Sequence, residues 1–180
     1  MGRRKSFEPT DVLDRAMRAF WRRGYGATSV DDLVTATGVN RASLYATFGG
    51  KAELFHACLK RYAREVAGPS LAAMPRADQE APKRFLKAVA AYAASDPMRQ
   101  GCLMVNTAAE TAAHDAETLA VVRGHVANLE DAFAEALGSG TDASRRRARL
   151  ALCLSVGLLV LGKVGVERAA LEEAVEAAFD

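Results

Sequence analysis

Residues 28–51 read TSVDDLVTATGVNRASLYATFGGK, and the order of caps, apolar residues and glycines in this stretch decides the fold. Thr28 or Ser29 can cap a helix carrying Val30, Leu33 and Val34, with Asp31 and Asp32 in its first turn, where the helix dipole favours acidic side chains. That helix runs to Thr37-Gly38. Only Val39 and Asn40 precede the next stretch with apolar spacing, Leu44 and Phe48, and Asn40 is itself a good cap. Two short helices joined by a glycine-containing turn of about four residues make a helix-turn-helix.

In this motif the second helix enters the major groove of duplex DNA and its N-terminal residues reach base edges. With Leu44 and Phe48 on the core, steps of about 100° per residue place Ala42 and Ala46 on the opposite face, with Ser43 and Tyr45 on its flanks. Alanine methyls let the helix sink into the groove and touch thymine methyls, Ser43 can bond a base or a phosphate, and Arg41 can swing toward guanine or a phosphate. Tyr45 has two roles open to it, a hydroxyl on a phosphate or a ring packed on the first helix. Lys51 starts the next helix, where its amine and the free backbone N–H groups form an anion site, unless it is simply a solvated lysine. Thr28 is either a cap alone or a phosphate contact as well.

Outward from this stretch the pattern is helical throughout. Leu13, Ala16, Met17 and Phe20 predict a first helix from Pro9 or Thr10 to Gly24, and Leu54, Phe55, Cys58, Leu59, Tyr62 and Val66 a fourth from Lys51. Gly68-Pro69 and Met74-Pro75 are expected to break the pattern. Further helices are expected at about 82–95, 102–113, 116–137, 143–163 and 167–179. The expected fold is all-α, with about nine helices. A helix-turn-helix DNA-binding domain occupies residues 1–50, and a helical effector-binding and dimerisation domain 51–180.

The net charge of +2 hides an asymmetry: residues 1–64 hold 12 Lys and Arg against 6 Asp and Glu, whereas residues 65–180 hold 12 against 16. A polyanion would therefore meet the N-terminal end. Cys58, Cys102 and Cys153 are odd in number and widely spaced, which argues against a disulfide framework or a zinc site. No metal and no cofactor is expected. The start, MGRRKSFEPTD, has no apolar stretch after its charges. The uncharged run Leu150–Gly162 is 13 residues long, short of the roughly 20 that span a bilayer. A cytoplasmic protein without a membrane partner is the expectation.

The segment AFWRRGYGATSVDDLVTATGVNRASLYATFGGKAELF, within Val12–Phe55, resembles the N-terminal module of the TetR family of bacterial transcription regulators. Its marks are an aromatic before Gly-Tyr, Thr-Ser-Val with an acidic residue, Gly-Val followed by Leu-Tyr and Phe, then Lys and an apolar pair. The resemblance implies a dimer, an inducer pocket in the remaining helices and DNA contacts through Thr28, Arg41, Ser43, Tyr45 and Lys51. Ala46-Thr47 departs from the pattern, since many members carry His or Tyr there. The DNA-facing set is thus Thr28, Arg41, Ala42, Ser43, Tyr45, Ala46, Thr47 and Lys51.

Symmetric operators need two modules about 34–36 Å apart, so the C-terminal part should dimerise. The last two helices are the candidates, because LALCLSVGLLVLGKVG is apolar nearly all round, with Ser155, Gly157 and Gly162 permitting close approach; a core helix within one subunit is the alternative. GCLMVN at 101–106 resembles a stretch that opens a ligand-domain helix in many family members. Cys102 would sit at that helix start, where a thiolate is favoured, and some members sense electrophiles through cysteine; a small buried residue filling the helix start is the plainer role. Phe85, Tyr92, Met98, Cys102, Met104, Asn106, His125 and Phe133 are candidates for an effector pocket, or plain core. A repressor that binds operator DNA and is released by a small-molecule effector follows, with a thiol-responsive regulator as the alternative. An enzyme using Cys102 with His114 or His125 has no phosphate loop, carboxylate pair or nucleophile motif behind it.

Overall fold

The computed structural model describes residues 7–110, 115–138 and 141–179, and every regular element among them is a helix. Helix α1 (Pro9–Arg23) starts on a proline, which needs no N–H partner there. It stops at Gly24, whose φ of +83° suits a residue without a side chain. Helix α2 (Val30–Thr37) opens on a capping box: the Ser29 hydroxyl accepts from the Asp32 N–H at 3.1 Å, and the Asp32 carboxylate accepts from the Ser29 N–H at 2.9 Å. Gly38, left-handed at φ +73°, closes it. Two residues later Asn40 caps α3 (Arg41–Phe48) by accepting from the Ser43 N–H at 2.9 Å.

Helix α4 (Lys51–Tyr62) does not end at the expected Gly68-Pro69 break. The chain stays helical through a π-helical turn (Ala63–Ala67) into α5 (Gly68–Ala72). Pro69 lies in the first turn of α5, directly after the π-helical turn, and its fixed φ suits the helix. The helix then ends just before Met74-Pro75, as expected. The remaining helices are α6 (Ala81–Ser95), α7 (Leu103–Glu110), α8 (Ala116–Ala136), α9 (Asp142–Lys163) and α10 (Arg168–Phe179). Residues 111–114, where the sequence places the end of a helix and His114, lie outside the described residues.

Two apolar clusters hold these elements together. In the first, Val12, Met17 and Phe20 of α1 meet Leu33, Leu44, Phe55 and Leu59, and the cluster continues through Tyr62 to Leu103, Met104 and Val122. The helix-turn-helix therefore shares a core with α4, α7 and α8. The second cluster joins α6, α8, α9 and α10 around Leu86, Phe133, Leu158, Leu171 and Val175. Polar ties reinforce α4 on both sides: Arg61 donates to both oxygens of Asp14 on α1, at 2.8 and 3.1 Å, and His56 Nε2 lies 2.6 Å from Asp115 at the start of α8. No helix among the described residues is long and apolar enough to cross a membrane.

Helices α6 and α9 approach closely because Gly162 is bare. A Cβ at Gly162 would lie 2.5 Å from the Ala93 Cβ and 2.8 Å from the Ala93 carbonyl oxygen, so the backbones would have to separate. Gly162→Ala is expected to destabilise the protein by about 1–3 kcal/mol through overpacking, in spite of the higher helix propensity of alanine, as read by urea unfolding. An unchanged or raised midpoint would show that the α6–α9 contact yields at little cost.

Candidate nucleic-acid interface and apolar pockets

Leu44 is buried and Phe48 packs against the same cluster, which fixes the rotation of α3 about its axis. Arg41, Ala42, Tyr45 and Ala46 are exposed on its outer side, and Ser43 and Thr47 are half-buried at the edges. The Arg41 guanidinium lies 3.7 Å from the Asp31 carboxylate, a loose pairing between two solvated groups that leaves the arginine available. Lys51, at the first position of α4, rests its ammonium 4.2 Å above the centre of the Tyr25 ring, a cation–π contact that holds the charge beside α3. Thr28 stands apart from this group. It is fully buried and its hydroxyl donates to the Gly24 carbonyl at 2.6 Å, so Ser29 is the residue that caps α2.

A residue that the sequence did not single out shapes this face. Glu110, the last residue of α7, accepts from the backbone N–H of Tyr25 at 2.9 Å and of Gly26 at 2.6 Å. The carboxylate packs close over both glycines, 2.6 Å from where a Cβ would stand at Gly24 and 3.0 Å from one at Gly26. The Gly-Tyr-Gly turn is thus a seat for an acidic side chain 84 residues further along. A line of contacts runs from α7 through that turn to the Tyr25 ring and the Lys51 ammonium. Beside it, hydrogen bonds from the Ser29 hydroxyl and N–H, helped by Arg23, lower the Asp32 carboxyl to a pKa of about 2, so the carboxylate of the capping box stays ionised further into acid than a free aspartate.

Behind this module lie two adjoining apolar spaces. One, of about 350 Å³, is lined by Trp21, Tyr62, Phe85, Tyr92, Cys102 and neighbours; the other, of about 410 Å³, by Met104, Val105, Val122, Val126 and Val156 among others. Cys102, His125, Leu129, Ser155 and Leu159 line both. Of the residues proposed for a pocket, the structure brings together Phe85, Tyr92, Cys102, Met104 and His125. Three lie elsewhere. Phe133 is fully buried in the second core, edge-on to Phe85, Met98 is more than half exposed, and Asn106 bridges the Gln100 carbonyl and the Lys163 ammonium. Trp21 was missed because it belongs to α1, which the sequence assigns to the DNA-binding end. Of the cysteines, Cys58 is buried with its thiol pushed up to about 12 by burial, and Cys153 is exposed. No group of His, Cys, Asp or Glu among the described residues could hold a metal ion.

Comparison with known proteins places this geometry among regulators. Residues 12–58 match the family model described as bacterial regulatory proteins, tetR family. The chain is 37% identical over 140 residues to the HTH-type transcriptional regulator YezE of Bacillus subtilis (strain 168), covering 74% of this chain and 70% of that one. It is 39% identical over 108 residues to the HTH-type transcriptional repressor ComR of Escherichia coli (strain K12), covering 58% of this chain and 51% of that one. Among solved structures, a cysteine mutant of the TetR family transcriptional regulator CifR, complexed with 26 bp double-strand operator DNA, superposes with a TM-score of 0.83 at 28% identity over 98% of each chain.

Removing the Glu110 carboxylate should leave the Tyr25 and Gly26 amides without their partner. Glu110→Ala is expected to cost about 1–2 kcal/mol of stability and to speed hydrogen exchange at those two amides more than at the α2 or α3 amides, as NMR-detected exchange would show. Exchange at the turn that stays at wild-type rates would mean the carboxylate does not hold it.

Proposed function

This chain belongs to the TetR family of bacterial regulatory proteins, and we propose that it is a transcription regulator, most directly a repressor, that binds operator DNA as a homodimer and leaves it when a small molecule binds. The observation that carries this reading is the outer face of α3. Two exposed alanines make it low enough to enter a major groove, Arg41 and Tyr45 reach out beside them, and Lys51 waits on Tyr25 at the start of the next helix. Arg41, Ala42, Ser43 and Ala46 are assigned to base edges. Tyr45, Thr47 and Lys51 are assigned to the phosphates that set register. Thr28 acts from inside, holding the turn before α2 rather than touching DNA with its buried hydroxyl. DNA binding of this kind belongs in the cytoplasm.

Residues 1–50 form the DNA-reading module and 51–180 the effector-binding and dimerising part, the two sharing the first apolar cluster. Helix α9 supports the dimer: Leu150, Cys153 and Leu161 along it, and Val164 just past its end, are exposed apolar residues on one stripe next to α10. Burying that stripe against a second copy would set two α3 helices on one side of the pair, as a two-fold operator requires. The adjoining apolar spaces fall in the size range of small-molecule sites and supply the effector pocket. A thiol-responsive variant of the same reading is favoured by one contact. Cys102 lies on the wall of both spaces, with its sulfur 3.4 Å from the Tyr62 hydroxyl that donates to it.

Salt titrations of DNA binding separate the assigned roles. Lys51→Ala should weaken binding to every duplex and reduce the slope of log K against log salt by about 1, whereas Arg41→Ala and Ser43→Ala should narrow the gap between specific and random duplexes. An unchanged slope in Lys51→Ala would remove the phosphate role of that lysine.

A further inference from the structure

The cations around α3 are held in two ways. Arg41 lies against the Asp31 carboxylate and Arg23 against that of Asp32. Lys51 pairs with no carboxylate among the described residues, and its ammonium is held instead 4.2 Å above the centre of the Tyr25 ring. The difference matters to a phosphate. A carboxylate neutralises the charge it holds and spends its N–H donors, so DNA has to displace it. A ring face attracts the cation through its quadrupole and leaves the donors on the far side free. Burial, with the charges of Asp115 and Glu53 nearby, pushes the Tyr25 phenol pKa above its ordinary value, so the ring is neutral at neutral pH.

The ring in turn is placed from two sides. Its side chain packs on Phe55 and Phe20, with centroids 4.8 and 6.1 Å apart. Its backbone belongs to the turn between α1 and α2, where the N–H groups of Tyr25 and Gly26 donate to the Glu110 carboxylate at 2.9 and 2.6 Å. Those two bonds tie the turn to the end of α7. The same helix supplies Met104, Val105, Ala108 and Ala109 to the wall of the larger apolar space. Hydrogen bonds from an N–H to an oxygen reach only about 3.2 Å, so roughly 1 Å of travel by the carboxylate opens both.

We propose that Tyr25 is the positioning residue for the phosphate contact of Lys51, and that Glu110 makes this position conditional on α7. With the carboxylate seated, the turn is fixed and the ring presents the ammonium beside α3. With the carboxylate withdrawn, the turn is released and Lys51 becomes a mobile surface lysine, whose ordering DNA binding must then supply. The loss falls on a phosphate rather than a base, so it lowers affinity for every duplex alike. This inference rests on the operator-binding reading above.

Two readouts test it, one without DNA and one with it. In the NMR spectrum of DNA-free protein the Lys51 ε-methylene protons should resonate upfield of a free lysine, because they lie over the ring. Tyr25→Phe keeps a ring and should keep that shift, whereas Tyr25→Leu and Glu110→Ala should move the resonances toward the free position. DNA binding is followed by anisotropy on a duplex selected from random DNA and on a random one. Tyr25→Leu should weaken both by about 2- to 5-fold, the size of an exposed cation–π contact, and the conservative Tyr25→Phe should restore the affinity. In a Lys51→Ala background the same Tyr25→Leu change should cost nothing further, since the cycle removes any loss that does not pass through the lysine. Unshifted Lys51 methylenes in wild type, or a shift that survives Glu110→Ala, would overturn the proposal. So would wild-type affinity in Tyr25→Leu, binding by Tyr25→Phe as weak as by a weakened Tyr25→Leu, or additive losses in the cycle. Should Tyr25→Leu fail to fold, the wild-type and Glu110→Ala spectra still decide. If wild type lacks salt-dependent DNA binding altogether, the regulator reading falls separately, and the spectra continue to judge the path from Glu110 through Tyr25 to Lys51.

Discussion

Burial of Leu44 is the constraint on which the rest of the structure depends. Helix α3 has only eight residues, too few to be stable alone, so its existence and its rotation both come from the apolar cluster that Leu44 enters. Once Leu44 and Phe48 point inward, the outer face can only be Arg41, Ala42, Tyr45 and Ala46. Everything around the helix serves that orientation. Asn40 caps its start, Gly38 turns the chain into it, and the Arg15 guanidinium donates to the Thr37 carbonyl at the end of α2, at 3.2 Å. A polar residue at position 44 would lose the cluster and the rotation together.

The module is also held from outside itself. Helix α7 touches it at both ends, through Gly101 and Trp21 before its first turn and through Glu110, Tyr25 and Gly26 after its last. Between those ends α7 contributes Met104, Val105, Ala108 and Ala109 to the wall of the larger apolar space. An element that lines a cavity and braces a second module at two points is well placed to couple them, since packed interiors change between discrete arrangements rather than deform smoothly.

Local chemistry made most of the fold legible. The caps at Ser29 and Asn40, the glycines at 24 and 38 and the spacing of Leu, Val and Phe fix the helices from α1 to α3 and the start of α4 almost to the residue, because each signal acts within a turn of where it is written. The chain's path past Pro69 was not legible in that way, since a proline in a first turn and a proline that ends a helix look alike until the preceding backbone is known. The outward face of α3 could be read because helical geometry converts sequence spacing directly into direction. Glu110 and Trp21 could not, because their partners lie 80 or more residues away and no local pattern marks a carboxylate that seats on two amides. Phe133 and Asn106 show the same limit from the other side. Aromatic and amide residues at helical spacing serve a core or a loop as readily as a pocket.

The central claim is that two copies of α3, set by one dimer, read a symmetric operator. Selection of bound duplexes from random DNA, followed by sequencing, tests this most directly. The account predicts an inverted repeat whose half-site centres lie about 34–36 Å apart along one face of the helix, or a multiple of that distance. Enrichment of a single asymmetric site, or of no sequence at all, would contradict it.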